Sequence, residues 1–300
     1  MSARSQSDAL GLRRDLVCLI CAGEAARVGR AASMRGAVTY DMASCPDCGF
    51  AFIVEPRTDF ENLYDDDYYR GAGFDPSVDY AAEQDERTVR VHEWAGVLAV
   101  VRSLHARPIR TWLDYGCGYG GLVSYLRRNG VDAVGHDIGH PADHARSVGV
   151  SFVSESDLPG HNGRYDVITA IEVLEHAIDP IELLESFRDL LAPDGLVFVT
   201  TGNAERHRRA LTEWRYVAPE VHVSYFEPRT LRRAYQSVGL EPVDVGHRRG
   251  MQQIMQYKIL KALGRHRREA WHRVIPWSLV SRLADRREGV SAQPAARQPR

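Results

Sequence analysis

Two groups of residues in this 300-residue chain have types and spacings that could do chemistry. The first is a pair of Cys-x-x-Cys turns, Cys18–Cys21 and Cys45–Cys48, separated by 23 residues. Two tight turns of this kind can bring four thiolates to the corners of a tetrahedron, which is the coordination structural Zn2+ takes. All four positions are then filled by protein, so the expected site is closed and structural. Gly23 and Gly49 follow the pairs where a knuckle needs permissive backbone, and Pro46 stiffens the second turn. Buried or redox-active thiols are the alternative.

The second group is the run Leu113-Asp-Tyr-Gly-Cys-Gly-Tyr-Gly-Gly121. Gly116, Gly118 and Gly120 let backbone approach a ligand closely, and the run lies between a predicted strand and a predicted helix, as a nucleotide-binding turn requires. A dinucleotide turn reads Gly-x-Gly-x-x-Gly and offers a helix N-terminus to a pyrophosphate. Here Asp114 stands ahead of the glycines. A carboxylate there repels a pyrophosphate and suits the ammonium of a methionine moiety, which favours S-adenosylmethionine over NAD. Asp137, 21 residues after Gly116, ends the next predicted strand, where an acid can accept both hydroxyls of a ribose. Cys117, inside the loop, reads as a small packing residue.

The surrounding pattern supplies elements to hold these groups. Val91, Trp94, Leu98 and Val101 recur at spacings of three and four, which predicts a helix within Tyr80–Leu104. After Pro108, predicted strands (Thr111–Tyr115, Ala133–Asp137, Ser151–Val153, Tyr165–Ile171, Leu196–Thr200) alternate with predicted helices (Gly121–Asn129, Ala142–Ser147, Pro180–Leu191, Thr230–Val238). That alternation implies an α/β fold, a Rossmann-like parallel sheet with helices on both faces. The expected organisation is a zinc-binding ribbon at 16–56, a connector and helix at 57–107 and the sheet domain at 108–248. A basic helical extension at 249–288 and a disordered tail at 289–300 follow.

A net charge of -2 gives no global argument for nucleic acid or an acidic membrane. No apolar run reaches the roughly 20 residues that span a bilayer, and the first residues have no apolar signal region. Paired cysteines suit metal in a reducing compartment, so a cytoplasmic location is expected. Lys258, Lys261, Arg265, Arg267, Arg268, Arg273 and Arg282, with Trp271 and Trp277 among them, read as solvated helix faces. A weak anionic partner or membrane surface is the sharper alternative.

With LDYGCGYGG in place, GHD, YDVITAIEVLEH and LLAPDGLVFVTT follow in the order seen in class I methyltransferases, over roughly Asp75 to Asp244. The resemblance implies that Asp114, Gly116, Gly118 and Gly120 hold the methionine end and Asp137 the ribose. It places Ser156, Asp157 and Leu158 near the adenine, and Ile171 and Glu172 at the pocket, with Glu172 to His176 lining it near the methyl group. Many relatives carry Gly-Asp where this chain has Val153-Ser154.

The cysteine pairs, the YDDDYY connector and the HVSYF segment together resemble deoxysugar C-methyltransferases, which act on nucleotide-linked keto-sugars. From these, His222, His176, Tyr68 and Tyr69 carry over as candidate bases. The Glu that precedes the family's histidine does not, since Val221 stands there and Glu220 one place earlier. About fifty basic, helical residues stand in place of that family's large C-terminal domain.

The expected activity is methylation at C or O of a small-molecule acceptor, a sugar or natural-product intermediate. A macromolecule methyltransferase with the zinc module as reader is one alternative, although no basic and aromatic patch surrounds the cysteines to suggest nucleic acid. A catalytically silent cofactor-binding scaffold is the other, and the presence of both Asp114 and Asp137 argues against it.

Overall fold

The computed structural model describes residues 16–34, 36, 38–59, 86–138, 143–144, 147, 149–246, 248–288 and 294–299. The first elements are strands β1 (Ala26–Ala32), β2 (Thr39–Ser44) and β3 (Ala51–Ile53), an antiparallel set flanked by the cysteine turns. Each turn closes with a backbone bond, Ala22 N–H to Cys18 O at 2.8 Å and Gly49 N–H to Cys45 O at 2.9 Å.

Helix α1 (Arg90–Leu104) buries Trp94, Leu98 and Val101 of the predicted stripe, leaves Val91 half-buried, and buries Val97 as well. Strand β4 (Thr111–Tyr115), helix α2 (Gly121–Arg128), strand β5 (Asp132–His136), strand β6 (Tyr165–Ile171), helix α3 (Pro180–Leu190) and strand β7 (Leu191–Thr200) follow. Asp179 starts α3 by accepting from the N–H groups of Ile181 and Glu182, with Pro180 in the first turn where no donor is needed. Strand β8 (Ser224–Tyr225), helix α4 (Pro228–Ser237), strand β9 (Glu241–Val243), helices α5 (Arg249–Ala262) and α6 (Trp277–Glu288) and strand β10 (Ala295–Arg297) complete the order.

One sheet runs β5-β4-β6-β7-β10-β9, parallel from β5 to β7 and antiparallel where β10 meets both neighbours. The Rossmann-like expectation therefore holds, with local differences. The segment predicted as a strand at Ser151–Val153 makes a single parallel bridge, Phe152 to Gly135. The helix expected at Ala142–Ser147 falls largely outside the described residues.

The expectation of a disordered tail is corrected at its end. Ala295 and Ala296 are fully buried between β7 and β9, where small side chains fit and where both strands would otherwise leave ladder groups unpaired. Consequently α5 and α6 form an insertion between β9 and β10 rather than an extension. Helix α5 packs on α1 through Gly96 and Gly250: a Cβ at Gly96 would lie 2.6 Å from the Gly250 carbonyl oxygen. The cysteine module is likewise joined to the rest. Its sheet is completed by β8, with Ala51 opposite Tyr225 and Phe52 opposite Ser224, and its apolar residues share one core with Leu113, Ile168 and Leu231.

Candidate functional site

The C-terminal ends of β4, β5 and β6 open on a cavity of about 790 Å3, walled on the far side by α1. This is where ligands bind in open parallel α/β sheets. The glycine loop forms one rim. The His136 carbonyl accepts from the N–H groups of Gly116 and Cys117, at 2.8 and 3.0 Å, which ties the loop to β5. Gly116 has a φ of 73°, and a Cβ there would collide with Val173. Gly118, with a φ of 53°, faces open space in the cavity. Gly120 turns the other way, against Val150, and does not line the cavity; it starts α2 in a left-handed conformation. Cys117 is buried against Gly135, a packing residue as read.

Asp114 is buried and accepts a hydrogen bond of 2.7 Å from the Thr169 hydroxyl. Burial raises its carboxyl to about 7, with the Asp137 charge adding to the rise and Thr169 opposing it. Asp137 lies just past β5. Its carboxylate accepts from Gly118 N–H at 2.6 Å and Ile138 N–H at 2.8 Å, and burial raises it to about 6 against those bonds. Both acids line the cavity.

Of the three residues expected near an adenine, Leu158 lines the cavity. Ser156 and Asp157 do not. Their side chains are exposed and turn back on Ser154, whose hydroxyl lies 3.0 Å from the Ser156 hydroxyl and 2.5 Å from the Asp157 carboxylate. Short polar side chains in a turn take such local partners readily. Glu155, Pro159 and Asn162 face the cavity instead.

Ile171 and Glu172 close the end of β6 and line the cavity, as does His176. Glu172 adopts a φ of 54°, a conformation uncommon for a non-glycine residue and held here by its N–H bond to Thr200 O at 2.8 Å. Its carboxylate accepts from Thr200 at 3.1 Å, the Tyr216 hydroxyl at 2.9 Å and Lys258 Nζ at 2.9 Å. Burial alone would raise this carboxyl, but the Lys258 charge and the three hydrogen bonds outweigh it and hold it well below the usual carboxylate range. Glu175 is fully buried and also receives the Tyr216 hydroxyl. Burial and the neighbouring Glu172 charge raise it to about 8.

His176 and His222 meet edge to face, ring centroids 4.9 Å apart. His176 Nδ1 lies 2.9 Å from Val221 O and His222 Nδ1 2.7 Å from Tyr216 O. A carbonyl only accepts, so each neutral ring carries its proton on Nδ1 and its lone pair on Nε2. His222, carried over as a candidate base, sits behind His176, 8% exposed and with its ring tilted against Tyr216, because Ser224 and Tyr225 are drawn into the neighbouring sheet. Tyr68 and Tyr69 lie outside the described residues. Sequence reasoning missed Tyr216, Arg90 and Lys258. Arg90 lines the cavity and pairs with buried Glu93 at 2.8 Å.

The four sulfurs of Cys18, Cys21, Cys45 and Cys48 lie within 4.8 Å of one another, and the Cys18–Cys48 and Cys21–Cys45 pairs are each 3.4 Å apart. Tetrahedral zinc with Zn–S near 2.3 Å would set them about 3.8 Å apart, so the donors present fit that ion. Four ionised thiolates this close, three of them on buried residues, need a cation among them.

Residues 86–245 match the methyltransferase domain family. The chain belongs to that family. Among curated relatives, it is 33% identical over 157 residues to the ubiquinone biosynthesis O-methyltransferase of Cereibacter sphaeroides, covering 46% of this chain and 62% of that one. To the protein of the same name from Shewanella pealeana it is 37% identical over 111 residues, 34% of this chain and 46% of that one. The chain thus spans about half the length of the curated relatives it matches. Solved structures similar to it include the [4+2]-cyclase SpnF, at 18% identity and TM-score 0.44 over 69% of this chain and 81% of that one. A second is a putative sarcosine dimethylglycine methyltransferase from Galdieria sulphuraria, at 17% identity and TM-score 0.42 over 70% and 86%. Among the described residues no helix is long and apolar enough to cross a membrane.

Proposed function

We propose that the protein is an S-adenosylmethionine-dependent methyltransferase acting on a small hydroxylated or keto acceptor, a sugar or natural-product intermediate. The observation that carries this is the pairing of two acids on one cavity. Asp114 and Asp137 flank the glycine loop, and Glu172 and His176 stand at the β6 end. When bound, the cofactor supplies an electrophilic methyl group on a sulfonium sulfur. Asp114, once ionised, balances the ammonium of the methionine moiety, and Gly118, with open space beside it, lets the ligand approach the loop closely. Asp137 is held by Gly118 and Ile138 with lone pairs left for a ribose diol.

The acceptor side is the half of the cavity near His176. An Nε2 lone pair there, with His222 behind it, can take the proton of a hydroxyl or an acidic C–H, a contribution of typically 10²–10⁴-fold. The named relatives are O-methyltransferases, which supports oxygen as the receiving atom. The cysteine module and HVSYF segment support the keto-sugar reading, with Tyr68 or Tyr69 as a further candidate base. The four cysteines hold a structural Zn2+ in this account, and reduced thiols kept for metal support a cytoplasmic location.

The test is methyl transfer from labelled S-adenosylmethionine to a panel of nucleotide-sugars, phenols and hydroxylated small molecules. Methylation of at least one is expected, with His176→Ala reducing turnover about 10²–10⁴-fold. Transfer only to added protein or RNA would overturn the small-molecule reading.

A further inference from the structure

Helices α5 and α6 lie beyond the residues that match the methyltransferase family, 86–245, and their outer side is apolar and cationic at once. Of the ten large apolar residues exposed among the described residues, five fall between Leu263 and Leu283: Leu263 (66%), Trp271, Val274 (82%), Leu279 and Leu283. Exposed apolar side chains scattered singly are ordinary, whereas a cluster of them marks a contact surface. Helix α6 has a covered face and an open one. Trp277, Val280 and Ser281 turn inward, and Trp277 packs on Val89, Tyr257 and Leu260. Leu279 and Leu283, one turn apart, stand on the opposite face beside exposed Arg282.

Residues 261–283 also carry six lysines and arginines against one acid, Glu269, in a chain of net charge -2. Arg265, Arg267, Arg268 and Arg282 are exposed and form no ion pair with an acid among the described residues. Glu269 accepts from the Trp271 indole N–H at 2.7 Å, and the Arg265 guanidinium lies 6.0 Å from the centre of that ring. The arginine stretch is held in place by backbone bonds. Val89 N–H donates to His266 O and Arg268 N–H to Arg87 O, both at 2.9 Å.

We propose that the outer face of α5 and α6 docks on an anionic lipid bilayer, its exposed apolar side chains entering the headgroup boundary and its arginines meeting lipid phosphates. A lipid surface rewards both features together. A nucleic acid would engage the arginines but gains nothing from exposed leucine and valine. A second copy of the same face would set arginines against arginines. The contact is peripheral, since among the described residues no helix is long and apolar enough to cross a membrane. It does not depend on what the cavity binds.

The full chain is sedimented with vesicles of phosphatidylcholine alone and of phosphatidylcholine mixed with phosphatidylglycerol. Binding to the mixed vesicles is expected, with little to the neutral ones and a steep decline as salt rises. Arg265→Gln combined with Arg267→Gln should weaken it about tenfold or more and flatten the salt dependence. Leu279→Ser combined with Leu283→Ser should weaken it about tenfold at every salt concentration. All four side chains are exposed, so circular dichroism and thermal midpoints should stay at wild-type values. Failure to bind the mixed vesicles at low salt, or binding unchanged in both folded variants, overturns the proposal. Equal retention on heparin, with no loss in the leucine variant, also overturns it in favour of a general polyanion site. A dimer that the leucine variant dissolves, with no vesicle binding in the wild type, overturns it in favour of a second copy.

Discussion

Lys258, on the inserted helix α5, donates to Glu172 at the end of β6 across 2.9 Å, although 86 residues separate them in the chain. This contact reaches the cavity wall from an element that sequence alone reads as a solvated, basic face. It depends on α1 and α5 approaching closely at Gly96 and Gly250.

Lys258→Met should therefore leave a half-buried carboxylate without its counter-charge. A loss of about 1–3 kcal/mol is expected, below the usual figure for a fully buried pair because both side chains are 29% exposed. With Lys258 gone, Glu172 loses its depressed pKa and takes up a proton more readily, so the stability lost at neutral pH should partly return toward acid. Urea unfolding of Lys258→Met and Lys258→Arg at two pH values measures this. Equal midpoints for wild type and Lys258→Met would mean the pair contributes nothing.

Asp114 gives a pH dependence of known sign. Its carboxyl rises from an ordinary value near 4 to about 7 on folding, so folding takes up a proton between those values. The associated stability is complete below the unfolded value and is lost as pH rises through about 7. A bound ammonium favours the ionised form. Cofactor binding should then release a proton, tighten as pH rises from 6 to 8, and show buffer-dependent heat in calorimetry. Affinity independent of pH over that range would remove Asp114 from the ammonium.

The zinc expectation concerns more than the cysteines, because β3 pairs with β8 and Thr230 donates its hydroxyl to Cys48 O at 2.6 Å. Cys45→Ser should lose stoichiometric zinc and about 2 kcal/mol or more, which is several degrees in Tm for a chain of this size. It should also disturb His222, two residues ahead of β8. Elemental analysis of chelator-free protein showing no zinc would contradict the site.

The chain end supplies a stability prediction of its own. Deleting residues 294–300 removes the buried Ala295 and Ala296 and uncovers the facing edges of β7 and β9. A cost of about 2–4 kcal/mol is expected from lost ladder bonds and apolar burial. An unchanged urea midpoint would show that β10 contributes nothing to the sheet.

What could be read in the sequence is what neighbouring residues determine together. The glycine loop, Asp114 and Asp137 sit within one β-α-β unit, and the cysteine turns are each four residues long. The strands from β4 to β7 announce themselves by apolar runs between helical patterns. Lys258 and Tyr216 were invisible because their partners lie 86 and 44 residues away and no periodicity links them. Strand β10 was missed because its composition suits disorder, while its place is set by a slot between two distant strands. Ser156 and Asp157 misled in the opposite way, since a local turn satisfied side chains that the family pattern sends to the adenine.

Isothermal calorimetry tests, without an acceptor, whether Asp114, the glycine loop and Asp137 form a site for S-adenosylmethionine. S-adenosylmethionine and S-adenosylhomocysteine are expected to bind one per chain and NAD not to bind, and Asp137→Ala is expected to weaken binding by about 1.5–3 kcal/mol, the range for hydrogen bonds to a charged group. Binding of NAD in preference, or S-adenosylhomocysteine affinity unchanged in Asp137→Ala, would contradict it.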